Sequence, residues 1–171
     1  MKFRKLTAAA LTCMMCIALP MTSLAANTTE FTFVDKNEPT YTVTIPSTLE
    51  LEKDGSELNI TASDVAYLDG KKISVTIAGT DYYRNQMVLE GETSSGPRTS
   101  IRYQIIKGDE VIETTGGKDQ VNGVELASFT ENGTASLIVK PVITSTTQKD
   151  VLYKGSITYG IALTDTADPE E

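Results

Sequence analysis

The sequence predicts an all-β protein: a single antiparallel β-sandwich of immunoglobulin-like, Greek-key type, with roughly nine strands. Three observations carry that expectation. Apolar residues recur with period two along most of the chain, as in "TYTVTIP", "KISVTIAG" and "SIRYQII". Asp-Gly and Asn-Gly dipeptides, which tolerate positive φ in tight turns, punctuate it in "KDGS", "LDGK" and "ENGT". No stretch of ten or more residues carries the three-to-four spacing of an amphipathic helix.

The chain begins with an address. Lys2, Arg4 and Lys5 precede an apolar run from Leu6 to Met21, and small residues follow at Ser23, Ala25 and Ala26. This is the order of a secretory signal peptide over residues 1–26, shorter than the usual bilayer span of about 20 apolar residues. Cys13 and Cys16 lie inside it, so their C-x-x-C spacing does not read as a metal or redox pair. "LPMTS" (Leu19 to Ser23) resembles a sorting signal, but one placed at the wrong end of the chain. Three of the 15 basic residues and none of the 23 acidic ones fall in the leader, so cleavage moves the net charge from −8 to −11. That sign argues against nucleic acid and anionic lipid as partners, since both need clustered Lys or Arg.

The predicted domain spans residues 27–164. "FTFV" (Phe31 to Val34) alternates weakly. Tyr41, Val43 and Ile45 share one strand face, with Thr40, Thr42 and Thr44 on the other and Pro39 and Pro46 bracketing the strand. Ile73, Val75 and Ile77 repeat the pattern, and so do Ile101, Tyr103 and Ile105. "IIKGDEVI" reads as a hairpin turning at Gly108-Asp109. "SLIVKPV" is more continuously apolar, as expected of a strand covered on both faces. "YKGSITYGIALTD" (Tyr153 to Asp165) reads as one final strand, closing the sandwich in the middle of a sheet against Val43, Val75 and Tyr103. Residues 165–171 read as an acidic, disordered tail without a packing face.

That final strand, the first core strand "YTVTIPSTLEL" and the export leader resemble the small surface proteins of Gram-positive bacteria. In particular they resemble WxL-type cell-wall-associated β-sandwich proteins. The resemblance implies a secreted, surface-associated sandwich. The chain has no Trp, so the wall-binding signature tripeptide of that family is not carried over.

Composition removes several chemistries. With no His anywhere and no Cys beyond the leader, Ser-His-Asp and Cys-His catalysis and His-based metal sites are not available. Glu50 and Glu52, and Glu90 and Glu92, would each share a strand face, but same-strand neighbours are not the facing carboxylates of a glycosidase. "DKNE" and "EKDGSE" do not match a calcium loop. Asn27, Asn59 and Asn132 begin N-x-S/T triplets that arise readily in a Thr-rich chain. No catalytic residue, metal site or cofactor is assigned.

The cluster with binding character is "DYYRNQ", with Tyr82, Tyr83 and Arg84 as the candidate ligand-binding residues beside Asn85 and Gln86. Tyr presents a rigid aromatic face with a polar tip, and Arg and amides add directional hydrogen bonds. The expected role is a non-catalytic secreted or cell-surface module for adhesion, assembly or wall-associated scaffolding. Its partners would be cell-wall glycan, host glycan or another surface protein, or further copies in a homo-oligomer. Membrane contact ends with leader cleavage. Two alternatives are a fibre subunit that donates Thr28 to Asp35 to a neighbour's sheet edge, and a carbohydrate-binding module built on Tyr82 and Tyr83.

Overall fold

A computed structural model describes residues 33, 37–92 and 98–166. The chain divides between Asp35 and Lys36 into two units, and every strand described belongs to the second. The expected signal peptide, "FTFV" apart from Phe33, and residues 167–171 of the expected tail lie outside the described residues.

The described chain is all-β, with two antiparallel sheets. The elements are β1 (Thr40–Thr44), β2 (Ser56–Ala66), β3 (Lys71–Thr80), β4 (Val88–Glu92), β5 (Thr99–Lys107), β6 (Glu110–Ile112), β7 (Glu125–Phe129), β8 (Gly133–Val142), β9 (Leu152–Lys154) and β10 (Ile157–Asp165). Ten strands among the described residues thus replace the roughly nine expected for the chain from turn spacing. The first sheet runs β1-β2-β8-β5-β4-β9, with β6 pairing the far end of β5, and curls into a half-barrel. The second is β10-β3-β7.

Period-two alternation builds the core between them. From the first sheet come Leu58, Ile60, Leu137, Val139, Tyr103 and Ile105; from the second come Ile73, Val75, Ile77, Leu126 and Phe129. Each is a β-branched, aromatic or aliphatic side chain suited to a pleated half-buried surface. Tyr41 and Val43 of the edge strand β1, and Ile45 just after it, pack against this core and stay half-buried.

Three expectations are corrected. β8 lies between β2 and β5, but only its Leu137, Val139 and Pro141 face is buried. Ile138, on the other face, is 37% exposed, so "SLIVKPV" is covered on one side. "LDGK" is a tight turn and "ENGT" a bend, and neither is a hairpin: Lys71 N–H donates to Leu68 O at 3.0 Å, yet the turn carries the chain from β2 in one sheet to β3 in the other, and the bend carries it from β7 back to β8. Asp69 (φ 52°) and Gly70 (φ 77°) supply the left-handed backbone of the turn. "IIKGDEVI" does form a hairpin, with Lys107 opposite Glu110.

The third correction concerns the last strand. "YKGSITYGIALTD" is broken at Gly155–Ser156 into β9, which pairs β4, and β10, which pairs β3. β10 lies at the edge of the smaller sheet rather than in the middle of one. The break has a steric cause. A Cβ on Gly155 would stand 2.8 Å from Leu89 Cδ2 and 3.0 Å from Val88 O. Only glycine lets the chain pass this close as it leaves one sheet for the other. Tyr159, Ile161 and Leu163 then lie opposite Ile77, Val75 and Ile73, so the alternation read from the sequence sets the inward face of β10 correctly.

Candidate functional site

The chain leaves β3 at Thr80 and must turn back to start β4 at Val88. Residues Tyr83–Asn85 make this turn, with Asn85 N–H donating to Tyr82 O at 3.1 Å and Gln86 N–H to Tyr83 O at 3.4 Å, and with Arg84 and Asn85 both in the left-handed region (φ 57° and 52°). Two successive non-glycine residues there carry backbone strain. Local polar bonds hold it: Asn85 Oδ1 accepts from Thr80 N–H at 3.3 Å, and Thr80 Oγ1 donates to Gln86 O at 2.9 Å.

A second loop, Thr114 to Val121, is hydrogen-bonded to the first along its length. Met87 N–H donates to the buried Thr114 hydroxyl at 2.8 Å, and Val121 N–H to Asn85 O at 3.3 Å. Gln86 Nε2 donates to Gly116 O at 2.9 Å and Arg84 Nη1 to Gly117 O at 3.2 Å. Gly123 and Ile77 extend the seam, with Gly123 N–H donating to Ile77 O at 2.7 Å. Asp119 shapes the second loop from within. Its Oδ2 accepts from the Gly116 and Thr115 amides at 2.6 and 3.0 Å and from the Thr115 hydroxyl at 3.2 Å. The Gly116 amide, then the Thr115 amide and hydroxyl, hold the Asp119 carboxyl below its usual range.

The three expected residues therefore sit together, but unequally. Tyr82 is half-buried. Tyr83 is 69% exposed, and the Arg84 guanidinium lies 5.2 Å from the centre of its ring, within cation–π range. The result is an aromatic face backed by a cation on a two-loop platform. Gln86, Gly116, Gly117 and Asp119 belong to the platform. Reading the sequence does not single out the last three; the legible signal was the Asp closing "TTGGKD", an acid four residues after a Thr-Thr turn start.

Other candidates resolve differently. Glu50 and Glu52 lie in the irregular stretch between β1 and β2, not on a strand. Glu92 pairs with Lys154 at 2.8 Å on the exposed surface. Among the described residues no group of three or more acidic side chains is placed to share a metal ion. A separate concavity of about 270 Å³, lined by Ser100, Ile101, Arg102, Val142 and Thr144, shares no residue with the platform. The Tyr103 hydroxyl is buried without a hydrogen-bond partner among the described residues. Burial, then the nearby Asp81 and Tyr159, push its pKa well above the usual phenol value. It is a packing group.

No family model, no curated protein and no solved structure matches the chain.

Proposed function

We propose that this chain is a non-catalytic secreted or cell-surface module, of the Gram-positive surface type, that acts by adhesion or assembly. The platform of Tyr82, Tyr83 and Arg84 is its binding surface. The observation that carries this reading is the exposed Tyr83 ring with the Arg84 guanidinium over its other face, where Arg84 in turn donates to Gly117 O of a second loop. A rigid aromatic face loses little entropy on binding, and a sugar ring or an extended polypeptide can lie flat against it. Glycan of the cell wall or of a host is the partner that fits best, because aromatic stacking plus Arg and amide hydrogen bonds match a polyhydroxylated ring. An immunoglobulin-like, Greek-key architecture of the sandwich belongs to the same proposal. It is supported by the crossings from β2 to β3 and from β7 to β8 between sheets.

The test is a glycan array together with purified cell-wall polysaccharide, comparing the chain with Tyr83→Ala and Arg84→Ala. Binding that falls at least about tenfold in both variants, each keeping its β circular-dichroism spectrum, supports the proposal; such a loss is the size of one hot-spot aromatic. Binding unchanged by either variant, or no binding to any glycan, removes it. Fractionation of the native host tests the location: recovery in the medium or wall fraction fits, recovery in the cytosol does not.

A further inference from the structure

The edges of the two sheets are not equally protected. β1 is five residues long with Pro39 before it and Pro46 after it; β9 is three residues and carries the Lys154–Glu92 pair; β7 is five residues, with Lys107 Nζ donating to Glu125 O. Short length, proline and charge are the devices that stop an edge from pairing with another chain. β10 has none of them over most of its length. It is nine residues long, has no Lys, Arg or Pro, and its one charge is Asp165 at the end. Among the described residues its only strand neighbour is β3. At its centre Ile161 points to the same face as Tyr159 and Leu163, opposite Val75, yet is 44% exposed.

We infer that the outer edge of β10 pairs with β10 of a second copy, antiparallel about a two-fold axis at Ile161, joining two three-stranded sheets into one of six strands. The sequence of β10 is self-complementary in this register. Ile161 lies opposite Ile161 of the second copy, and Tyr159 opposite Leu163, so the inward faces run on as one apolar stripe. On the outward face Thr158 meets Thr164 and Gly160 meets Ala162, pairs small enough for the sheet to continue without a clash. Charge selects the direction. Antiparallel pairing sets Asp165 beside Ile157 of the other copy, at opposite ends of the interface, whereas parallel pairing would set the two Asp165 carboxylates side by side. The register shift between Thr158 and Tyr159 is absorbed on the β3 side by the extra residue Ala78, which leaves β10 regular.

The interface is small. Nine residues give a strip about 30 Å long and one strand wide, below the roughly 800 Å² per partner of a standard interface. The dimer is therefore weak, with a Kd in the range of about 1–100 µM, and tightens with added salt as the net negative charge of the two copies is screened.

The test uses the full chain carrying Cys13→Ser and Cys16→Ser, so that the thiol introduced for crosslinking is the only one. Sedimentation equilibrium should show a monomer–dimer equilibrium in that range, lost in Ile161→Lys, which sets a charge on the inward face of the edge. Because Ile161 is already exposed, this variant should keep the parent's thermal midpoint. Cysteine crosslinking checks the register independently. Residues directly opposite have Cα atoms about 4.5–5.5 Å apart, inside disulfide reach, so Ile161→Cys should crosslink on mild oxidation. Thr158→Cys, with its two copies about 20 Å apart in this register, should crosslink at least tenfold more slowly. A monomer at every concentration overturns the inference, as does equal crosslinking at the two positions. Self-association that survives Ile161→Lys but vanishes on deletion of residues 27–38 also overturns it, in favour of donation of the N-terminal segment. Glycan binding by the platform stands or falls separately.

Discussion

Replacing Gly155 with Ala adds one methyl group at the point where the chain passes from the first sheet to the second. The new Cβ would stand 3.0 Å from Val88 O and 2.8 Å from Leu89 Cδ2. Neither neighbour gives way easily. Val88 O is backbone in β4, and Leu89 is in the core cluster, 8% exposed. Relief thus requires a shift of β4 or of the β9–β10 connection by a few tenths of an ångström, and overpacking of this kind costs about 1–3 kcal/mol. For a domain of this size about 2 kcal/mol lowers the thermal midpoint by roughly 6–10 °C. Gly117→Ala is the control, since no heavy atom lies within 4 Å of the added carbon. Thermal and urea unfolding of both variants, followed by circular dichroism, should separate them by at least about 1 kcal/mol. If the two unfold alike, within about 0.5 kcal/mol, close approach at Gly155 does not fix the sheet crossing.

Two further outcomes derive from packing and charge. Ile60→Ala removes a fully buried side chain and should cost about 2–5 kcal/mol, whereas Ile138→Ala, on the solvent face of the neighbouring strand, should cost under about 1 kcal/mol; urea midpoints decide, and equal losses would contradict the assignment of faces. Burial alone would raise the Glu125 pKa, but bonds from Ser74 (2.7 Å) and Lys72 (3.1 Å) and the charge of Lys107 outweigh it, so its carboxyl titrates below the usual range. A lowered folded pKa means a contribution complete above the unfolded value of about 4.3 and lost as pH falls through the folded value. Urea unfolding from pH 7 downward should therefore show Glu125→Gln destabilised relative to the parent at pH 7, with the gap narrowing as the pH falls below about 4.3; a gap that does not narrow with falling pH would refute the linkage.

What could be read from the sequence was the local part of the fold. Alternation set the inward faces of β1, β3, β5 and β10, because a side chain's face depends only on its neighbours two positions away. β2, the longest strand, alternates as well, with Leu58, Ile60 and Ala62 inward between Asn59, Thr61 and Ser63, but its small Ala62 and the left-handed Asp64 (φ 55°) that follows make the apolar face weaker than in the other strands. Turn chemistry could not assign sheets. Asp69-Gly70 takes positive φ, which serves a hairpin and a crossing equally, and Asn132-Gly133 crosses between the sheets without it. The break at Gly155 was hidden for a different reason: it depends on Val88 and Leu89, far earlier in the chain. The same holds for the platform. Tyr82, Tyr83 and Arg84 stood out by residue type, but the loop that holds them lies about thirty residues downstream, and only the folded chain brings Gly116 and Gly117 to Arg84 and Gln86.

The placement of β10 underlies both the two-sheet architecture and the edge beside it, unpaired among the described residues, and backbone nuclear Overhauser contacts test that placement most directly. The account predicts contacts from β10 to β3 in the register that sets Ile161 opposite Val75 and Leu163 opposite Ile73, with none from β10 to β4, β5 or β8. Backbone contacts from β10 to any of those strands would put it inside the larger sheet and contradict the account.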